Sequence, residues 1–170
     1  GEVFVDEKNP FVRKEENGSL TFDQVGWVIY EIKNNPNSRR LVISAWHPAN
    51  AVISKLPPCH YTFTFNVNDG RLNCHLTQRS GDIALGIPFN LAAYSMLTQI
   101  IAQETNLQLG SFAHTIVDAH IYHAAKGSEL EKFDHLEGLK LQLLREPLAL
   151  PKLKIAKKPI DELTFEDFEL

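Results

Sequence analysis

Cysteine is scarce in this sequence, which has only Cys59 and Cys74 among its 170 residues and no Cys-x-x-Cys pair. Two distant cysteines are too few for a disulfide scaffold or a cysteine-based zinc site. The longest apolar run is far too short to cross a bilayer, and residues 1–20 are too polar and acidic for a signal peptide. We therefore expect a reduced protein of the cytoplasm.

Long basic runs are absent as well, and the formal net charge is −4. This charge argues against a nucleic acid as the partner, although a local pocket for an anion remains compatible with it. The apolar fraction of 44% and the charged fraction of 22% are ordinary for a globular protein. We predict one domain over residues 1–170, with neither a membrane nor a nucleic acid as its partner.

The periodicity of apolar residues predicts an α/β (α+β) fold with one main mixed β-sheet layered with helices. Alternation over 61–67 and 72–76, around Asp69-Gly70, predicts a hairpin with a type I′ turn. The other predicted strands cover 41–46, 112–122 and 153–156, and the predicted helices begin at Phe22 and Pro88, with a short third helix at 139–144. Segments 1–18, 48–58 and 81–86 are predicted as loops, and 124–138 as a polar surface insertion.

Cys59 follows Pro57-Pro58 at a predicted junction between a loop and a strand. A thiol becomes a good nucleophile when a nearby positive charge stabilises its anion. A lone cysteine is more often a small buried apolar residue, so the pattern leaves both roles open. Cys74 lies on the apolar face of the hairpin, and we expect it to be buried.

Two polar clusters adjoin predicted strands. Ser38-Arg39-Arg40 precedes a strand and suits either a solvated surface or a phosphate, because a guanidinium can bind two oxygens at once. Gln78-Arg79-Ser80-Gly81-Asp82 ends the hairpin with a cation, a hydroxyl and a carboxylate, which is typical of a site but also of a charged turn.

Asn90 falls in the first turn of the long helix, where an amide is either a polar helix start or a match for the edge of a pyrimidine. Asp118, His120 and Tyr122 would share one face of a strand by period 2. This face suits sugar hydroxyls or, with His114, a metal, but the triplet itself holds only one histidine. We predict no metal.

Together these segments resemble one family, the thymidylate synthases, over about residues 22–170. The resemblance is carried by motifs that stand in the family's order: Asn35-Pro36-Asn37-Ser38-Arg39-Arg40, Ser44-Ala45-Trp46, Leu56-Pro57-Pro58-Cys59-His60, Gln78-Arg79-Ser80-x-Asp82, Leu85-Gly86-Ile87-Pro88-Phe89-Asn90, Asp118-x-His120-x-Tyr122 and Phe165-Glu166-Asp167-Phe168.

The resemblance implies the thymidylate synthase fold, with a face of the sheet used for dimerisation, and the reductive methylation of dUMP to dTMP. Methylene-tetrahydrofolate would be the co-substrate. Cys59 would add to C6 of the uracil, C5 would take the methylene group, and the folate would then deliver a hydride. Arg79 would bind the nucleotide phosphate and stabilise the thiolate of Cys59.

Further roles follow from the same resemblance. Arg39 and Arg40 would enter the partner subunit's site in a homodimer. The implied catalytic residues are Cys59, His60, Arg79, Asp82 and Asn90. The implied dUMP-binding residues are Arg39, Arg40, Gln78, Arg79, Ser80, Asp82, Asn90, His120 and Tyr122. The implied folate-binding residues are Asp82, Leu85, Gly86 and Phe89.

Several features depart from the family pattern. His47 stands where many members have Asn, Gly81 where Cys is common, and Ile116-Val117 where Gly-Gly is common. Residues 123–135 fit the family's spacing poorly and resemble an insertion. The family's first third and its tail beyond Leu170 have no counterpart here, so we expect little turnover from this chain alone.

Two alternatives to the synthase remain open at this stage. A dUMP hydroxymethylase of the same fold would share the cysteine chemistry but end by adding water instead of hydride. An inactive nucleotide-binding fragment would keep the pocket without turnover.

Overall fold

The computed structural model describes residues 8–170 of the chain. Its strands are β1 (Val12–Lys14), β2 (Leu20–Phe22), β3 (Val42–Ser44), β4 (His60–Asn68), β5 (Arg71–Gln78), β6 (Gly81–Asp82), β7 (Gln108–Ile116), β8 (Ala119–His120), β9 (Lys154–Ile155) and β10 (Phe168–Glu169). Its α-helices are α1 (Gln24–Asn34), α2 (Pro48–Ile53), α3 (Gly86–Glu104) and α4 (Leu136–Gln142). Short 3-10 turns cover Glu131–Phe133, Ile160–Glu162 and Phe165–Asp167.

The main sheet has four strands in the order β3-β4-β5-β7. Its first two neighbouring pairs are antiparallel, whereas β5 and β7 are parallel and are joined through α3. The predicted hairpin is confirmed as β4 and β5. Both Asp69 (φ 49°) and Gly70 (φ 70°) have the positive φ that a type I′ turn requires. The sheet is therefore mixed, as predicted.

Helices α1 and α3 cover one face of this sheet. Asp23 begins α1, because its carboxylate accepts a hydrogen bond from the N–H of Gly26 at 2.9 Å. The buried core combines both helices with alternate residues of the strands: Val28, Ile29, Ile32, Leu41, Ile43, Phe63, Phe65, Leu72, Cys74, Leu76, Ile101 and Ala102. Each large side chain in this set stabilises the fold by about 1.5–3 kcal/mol. Cys74 is buried, as predicted.

The other face of the sheet is open. Its outward-pointing residues on β5 and β7 include His75, Ser111, Ala113 and Thr115, all of them exposed. His75 Nε2 and Thr115 Oγ1 are hydrogen-bonded across the parallel pair at 2.8 Å. The part of this face on β7 thus carries mostly small side chains.

The C-terminal hairpin of β9 and β10 is attached to α3. Gln103 Nε2 donates to the carbonyl of Ala156 at 2.7 Å, and Gln99 Nε2 donates to that of Leu153 at 3.1 Å. Asp167 closes the turn by accepting from Lys158 Nζ at 2.7 Å. The Phe165–Phe168 motif therefore anchors the end of the chain.

Several predicted loops contain regular structure. Of segment 1–18, residues 1–7 lie outside the described residues, and β1 occupies Val12–Lys14, paired with β2 around Gly18 (φ 81°). Both strands have only three residues, too few for apolar alternation to mark them. Segment 48–58 contains α2, with Pro48 in its first turn, where a proline N–H is not needed. Two residues of segment 81–86 form β6.

The predicted strand at 112–122 is wrong in both of its limits. Strand β7 begins at Gln108 and ends at Ile116, after which the N–H of Val117 donates to the carbonyl of Gln78 at 3.0 Å. The chain then leaves the main sheet, and β8 pairs with β6 instead. The predicted short helix is α4 (Leu136–Gln142), which begins earlier than expected because Asp134 Oδ1 accepts from the N–H of Leu136 at 2.8 Å.

Segment 124–138 is not merely a polar surface insertion, since it ends in the first residues of α4. Within residues 8–170, no helix combines the length and the apolar character needed to cross a membrane.

Candidate functional site

Cys59 is half-buried and immediately precedes β4, the junction that the sequence predicts. Its carbonyl oxygen accepts a hydrogen bond from the N–H of Arg79 at 2.9 Å. The register of β4 against β5 shifts between His60 and Thr62, which is a bulge one residue beyond Cys59. Cys59 and Arg79 are therefore neighbours at the same end of the hairpin.

The guanidinium of Arg79 holds the proline loop that precedes Cys59. Nε donates to the carbonyl of Pro58 at 3.1 Å, and Nη2 donates to that of Pro57 at 2.7 Å. A guanidinium has five N–H donors in a planar fork, so these two bonds leave donors for an anion. Arg79 thus fixes the backbone beside the thiol and places a permanent positive charge there.

Gln78 is almost completely buried, at 1% exposure, and all of its amide is engaged. Its Nε2 donates to the carbonyl of Ser80 at 3.3 Å and to Oδ1 of Asn90 at 3.2 Å. Its Oε1 accepts from His114 Nε2 at 2.7 Å. Because a carbonyl only accepts, the bond to Ser80 fixes which end of the Gln78 amide is the donor. The three residues His114, Gln78 and Asn90 form a directed chain.

Burial lowers the pKa of His114, and the neighbouring His75 lowers it further. The imidazole is therefore neutral at neutral pH and supplies one N–H, which goes to Gln78. His114 thereby links strand β7 to the end of the hairpin at Gln78.

His60 is the first residue of β4 and contacts α3. Its Nδ1 is hydrogen-bonded to the hydroxyl of Tyr94 at 2.6 Å, and the two rings meet edge to face. Burial raises the pKa of Tyr94, and the charge of Cys74 raises it further, so the phenol keeps its proton. His60 is thus fixed by a residue of α3.

Asp82 caps the start of α3. Its Oδ1 accepts from the N–H of Ala84 at 3.1 Å, and its Oδ2 accepts from the N–H groups of Leu85 and Gly86 at 3.1 and 3.3 Å. Burial raises the pKa of Asp82, but these backbone donors, aided by the charge of His135, lower it more, and the net shift is downward. The carboxylate is ionised at neutral pH.

The parallel pair of β6 and β8 sets Asp82 opposite His120. The rings of His120 and Tyr122 meet edge to face with centroids 5.1 Å apart. Asp118 does not share one strand face with them, because its side chain is 73% exposed and β7 has already ended. Its carbonyl instead accepts from the N–H of Gly81 at 2.9 Å.

Two grooves flank the first turns of α3. One, of about 490 Å³, contains Leu85, His135 and Leu139. The other, of about 830 Å³, is mostly apolar and contains Phe89, Met96 and Phe168. Leu85 and Phe89 are both exposed and line different grooves.

Arg39 and Arg40 are exposed at the start of β3, the edge strand of the main sheet. The N–H of Arg40 is held by the hydroxyl of Ser38 at 3.3 Å, and Ser38 is itself buried. Both guanidinium groups are therefore presented outward from a fixed backbone.

The sequence did not single out Tyr94 or His135, and it considered His114 only as an extension of the later triplet. All three act through contacts between distant elements, and no local motif marks them.

The packing around position 81 explains why a glycine stands there. A Cβ would lie 2.5 Å from Cδ1 of Ile87, which fills the space. Within residues 8–170, no group of three or more His, Cys, Asp or Glu side chains is arranged to hold a metal ion.

The arrangement combines a thiol that follows a loop held by a guanidinium, a directed amide on α3, and an ionised carboxylate on the strand paired with that of His120. A phosphate suits the guanidinium, and the polar edge of a planar ring suits the amide. The thiol between them can act as a nucleophile toward such a ring.

Comparisons with known proteins agree with the motifs. The family model described as thymidylate synthase matches residues 6–170. A thymidylate synthase of Haloferax volcanii is 46% identical over 210 aligned residues, which cover 100% of this chain and 60% of the relative. One of Staphylococcus haemolyticus (strain JCSC1435) is 47% identical over 171 residues, with 100% of this chain and 50% of the relative covered.

A thymidylate synthase of Mycoplasma pneumoniae (strain ATCC 29342 / M129 / Subtype 1) is 52% identical over 149 residues, 87% of this chain and 48% of the relative. The chain thus spans about half the length of the curated relatives it matches.

Proposed function

Since this chain belongs to the thymidylate synthase family, we propose that it forms part of the catalytic domain of an enzyme that converts dUMP to dTMP. Methylene-tetrahydrofolate is the co-substrate in this proposal, and dihydrofolate is the second product. The cytoplasm is the proposed compartment.

The observation that carries the proposal is the juxtaposition of Cys59, Arg79 and Asn90. Arg79 donates its N–H to the carbonyl of Cys59, and the preceding residue, Gln78, donates to Asn90. A nucleophile, an anion-binding cation and a ring-edge amide thereby meet at one end of the hairpin. Each of these groups matches one part of a uracil nucleotide: C6, the phosphate and the 4-carbonyl.

Chemistry begins in this proposal with the thiolate of Cys59 forming a bond to C6 of the uracil. The electrons of the C5–C6 double bond move toward the 4-carbonyl, and C5 becomes a carbon nucleophile. C5 then bonds to the methylene carbon of the folate. Loss of the C5 proton breaks the bond between the methylene carbon and the folate nitrogen, so that the folate departs and an exocyclic methylene remains on C5. A hydride from the folate reduces this methylene to a methyl group, which oxidises the folate to dihydrofolate. Expulsion of the Cys59 thiolate then restores the C5–C6 double bond.

Nucleotide binding is assigned to residues of both strand ends and of α3. Arg79 and Ser80 bind the phosphate, His120 and Tyr122 hold the deoxyribose hydroxyl, and Gln78 orients Asn90 on the base. His60 belongs to the polar network around the base, supported by its bond to the hydroxyl of Tyr94.

Folate binding is assigned to Asp82, Leu85, Gly86 and Phe89. Asp82 meets the polar edge of the pterin, consistent with a carboxylate that backbone donors keep ionised. Exposed Leu85 and Phe89 offer apolar surface on both sides of this position.

A homodimer completes the proposed site. Arg39 and Arg40 enter the partner subunit's pocket and bind its phosphate, while the open face of the sheet forms the interface. Exposure of both arginines at the sheet edge and the small exposed side chains of β7 on the open face support this assignment.

The test is the covalent complex that 5-fluoro-dUMP and methylene-tetrahydrofolate form with the intact gene product, followed by intact-protein mass. Because fluorine at C5 blocks loss of a proton, the ternary adduct should accumulate. Cys59→Ala should abolish the adduct. Cys74→Ala, which removes the other thiol of these 170 residues, should retain it.

Turnover supplies the second measurement. With dUMP and methylene-tetrahydrofolate, absorbance of dihydrofolate should rise. Hydroxymethylation without that rise would contradict the synthase, and absence of any adduct in the intact protein would leave only a binding module.

A further inference from the structure

His135 carries a buried polar atom that no hydrogen bond satisfies. Its Nδ1 lies 3.5 Å from Oδ1 of Asp82, and it is the one buried side-chain nitrogen or oxygen in residues 8–170 without a hydrogen-bond partner. An unsatisfied buried polar atom destabilises a fold by about 1–3 kcal/mol. Such an atom next to a site residue points to a role in that site.

Contacts with Tyr122 and Leu139 hold His135 in place. The N–H of His135 donates to the carbonyl of Tyr122 at 3.0 Å, and the two rings meet edge to face with centroids 5.9 Å apart. The carbonyl of His135 accepts from the N–H of Leu139 at 2.9 Å in the first turn of α4. The side chain is therefore fixed between Tyr122 and a helix start.

Residues 123–134 form a clasp that closes on itself just before His135. Asp134 Oδ2 accepts from His123 Nδ1 at 2.5 Å and from the N–H of Ala124 at 2.7 Å. Asp134 Oδ1 accepts from the N–H of Leu136 at 2.8 Å. One carboxylate thus joins both ends of the clasp to the turn that carries His135.

In front of the imidazole lies the carboxylate of Asp82, only 14% exposed. Its Oδ1 has one backbone donor, Ala84, whereas its Oδ2 has two. A carboxylate oxygen can accept further hydrogen bonds, so Oδ1 retains capacity toward His135. The groove beside this pair also contains Leu85 and Leu139.

We propose that His135 is a positioning residue for the folate side of the site: its free Nδ1 forms a hydrogen bond with Oδ1 of Asp82, 3.5 Å away, when the folate binds, and so fixes the carboxylate. The clasp of residues 123–134 sets the imidazole for this task. This inference rests on the proposed function, because Asp82 is taken there as the group that meets the pterin. His135 touches neither the nucleotide nor the reacting atoms in this assignment.

The experiment compares equilibrium binding of dUMP with binding of methylene-tetrahydrofolate to the dUMP-loaded intact protein. His135→Phe keeps a ring against Tyr122 but removes the nitrogen. It should weaken folate binding by roughly tenfold to a hundredfold and leave dUMP binding unchanged, since a displaced carboxylate costs that much. In turnover assays, the KM for folate should rise while the KM for dUMP stays unchanged.

His135→Asn places an amide near the position of Nδ1, and it should recover most of the folate affinity. Glu137→Gln is the matched control, because it removes an exposed ion pair with Lys140 in the same helix, α4. It should bind both ligands as the unaltered protein does.

Wild-type folate affinity in His135→Phe would overturn the inference. So would equal loss of dUMP binding, folate binding and thermal stability in both His135 variants, since His135 would then be only structural. If the unaltered protein binds dUMP but no folate, or binds neither, the proposed function fails first and this inference with it.

Discussion

The amide of Gln78 donates to Oδ1 of Asn90 across 3.2 Å, and this contact decides which end of Asn90 remains for a ligand. With its oxygen engaged, Asn90 presents its NH2 group. An NH2 group pairs with the 4-carbonyl of uracil and not with the 4-amino group of cytosine. In the proposed site, the order of donors in the chain from His114 through Gln78 would favour uracil over cytosine.

His114→Phe should relax that choice. The variant removes the donor to Gln78 Oε1, so the Gln78 amide is free to turn and release Asn90. We expect a loss of stability of about 1–3 kcal/mol, because a buried acceptor loses its partner. Competition binding should show the preference for dUMP over dCMP falling by roughly tenfold, the scale of a misplaced hydrogen-bonding group.

The control for this variant is Gln99→Glu. It alters the amide of a residue further along α3 than Asn90, one that donates to the carbonyl of Leu153 and makes no contact with Gln78. It should leave the nucleotide preference intact. Unchanged selectivity in His114→Phe would show that Asn90 is oriented without the chain.

Gly81→Ala tests the packing behind the site. A Cβ at this position would stand 2.5 Å from Cδ1 of Ile87 and 3.1 Å from Cγ2 of Ile116. We expect a loss of about 1–3 kcal/mol in the free energy of unfolding, as in other overpacked cores. Urea unfolding measures it, and Gly138→Ala, where nothing lies near the added carbon, is the matched comparison. Equal effects in both variants would contradict the crowding argument.

Ala113→Glu tests the open face of the sheet. This exposed residue of β7 lies beside His75 of β5, so an isologous interface would bring two added carboxylates onto one buried surface. Sedimentation velocity should show a dimer for the unaltered chain and a monomer for the variant. Phosphate binding by Arg39 and Arg40 across the axis should be lost with it. Ala92→Glu, exposed on α3, should not change the assembly.

Acid should weaken the link between α1 and α3. The hydrogen bond from Lys33 is the main reason that the pKa of Glu104 lies below its ordinary value of 4.5, with the N–H of Ile160 contributing. A depressed pKa in the folded state gives stability that is present above pH 4.5 and is lost as pH falls through the folded pKa.

Glu104→Gln should therefore be less stable than the unaltered protein at neutral pH, and the difference should shrink in acid. Urea unfolding at neutral pH and below the folded pKa measures it. Glu137→Gln breaks an exposed pair and should show no such dependence. A constant difference across pH would rule out the carboxylate as its source.

The sequence predicted best what local patterns determine. The central hairpin has unbroken alternation and an Asp-Gly turn, and the helices α1 and α3 have clear apolar faces, so their existence was readable. Helix α2 was missed although Pro48 is a helix-start signal, because residues 48–53 carry too little apolar periodicity. Cys59 was correctly predicted at a loop-to-strand junction.

Contacts between residues far apart in sequence determine the features that the sequence did not predict. Period 2 runs through Val117, but the N–H of Val117 makes the last bond to β5, at the carbonyl of Gln78, and the next bond joins Gly81 to Asp118. The motifs indicated Gln78 and Asn90 as site residues and offered His114 only as an extension of the later triplet. Likewise, the position of His135 against Asp82 depends on how residues 123–134 close.

The connection from β5 to β7 through α3 affects the order in which the proposed site assembles during folding. The hairpin that brings Cys59 next to Arg79 closes by a local turn, whereas the parallel pairing that brings in His114 must wait until α3 has folded back across the sheet. Long-range parallel pairing is slow, because a long stretch of chain is constrained before any contact compensates for it. During synthesis, Cys59 and Arg79 would therefore be neighbours before His114 fixes the orientation of the Gln78 amide.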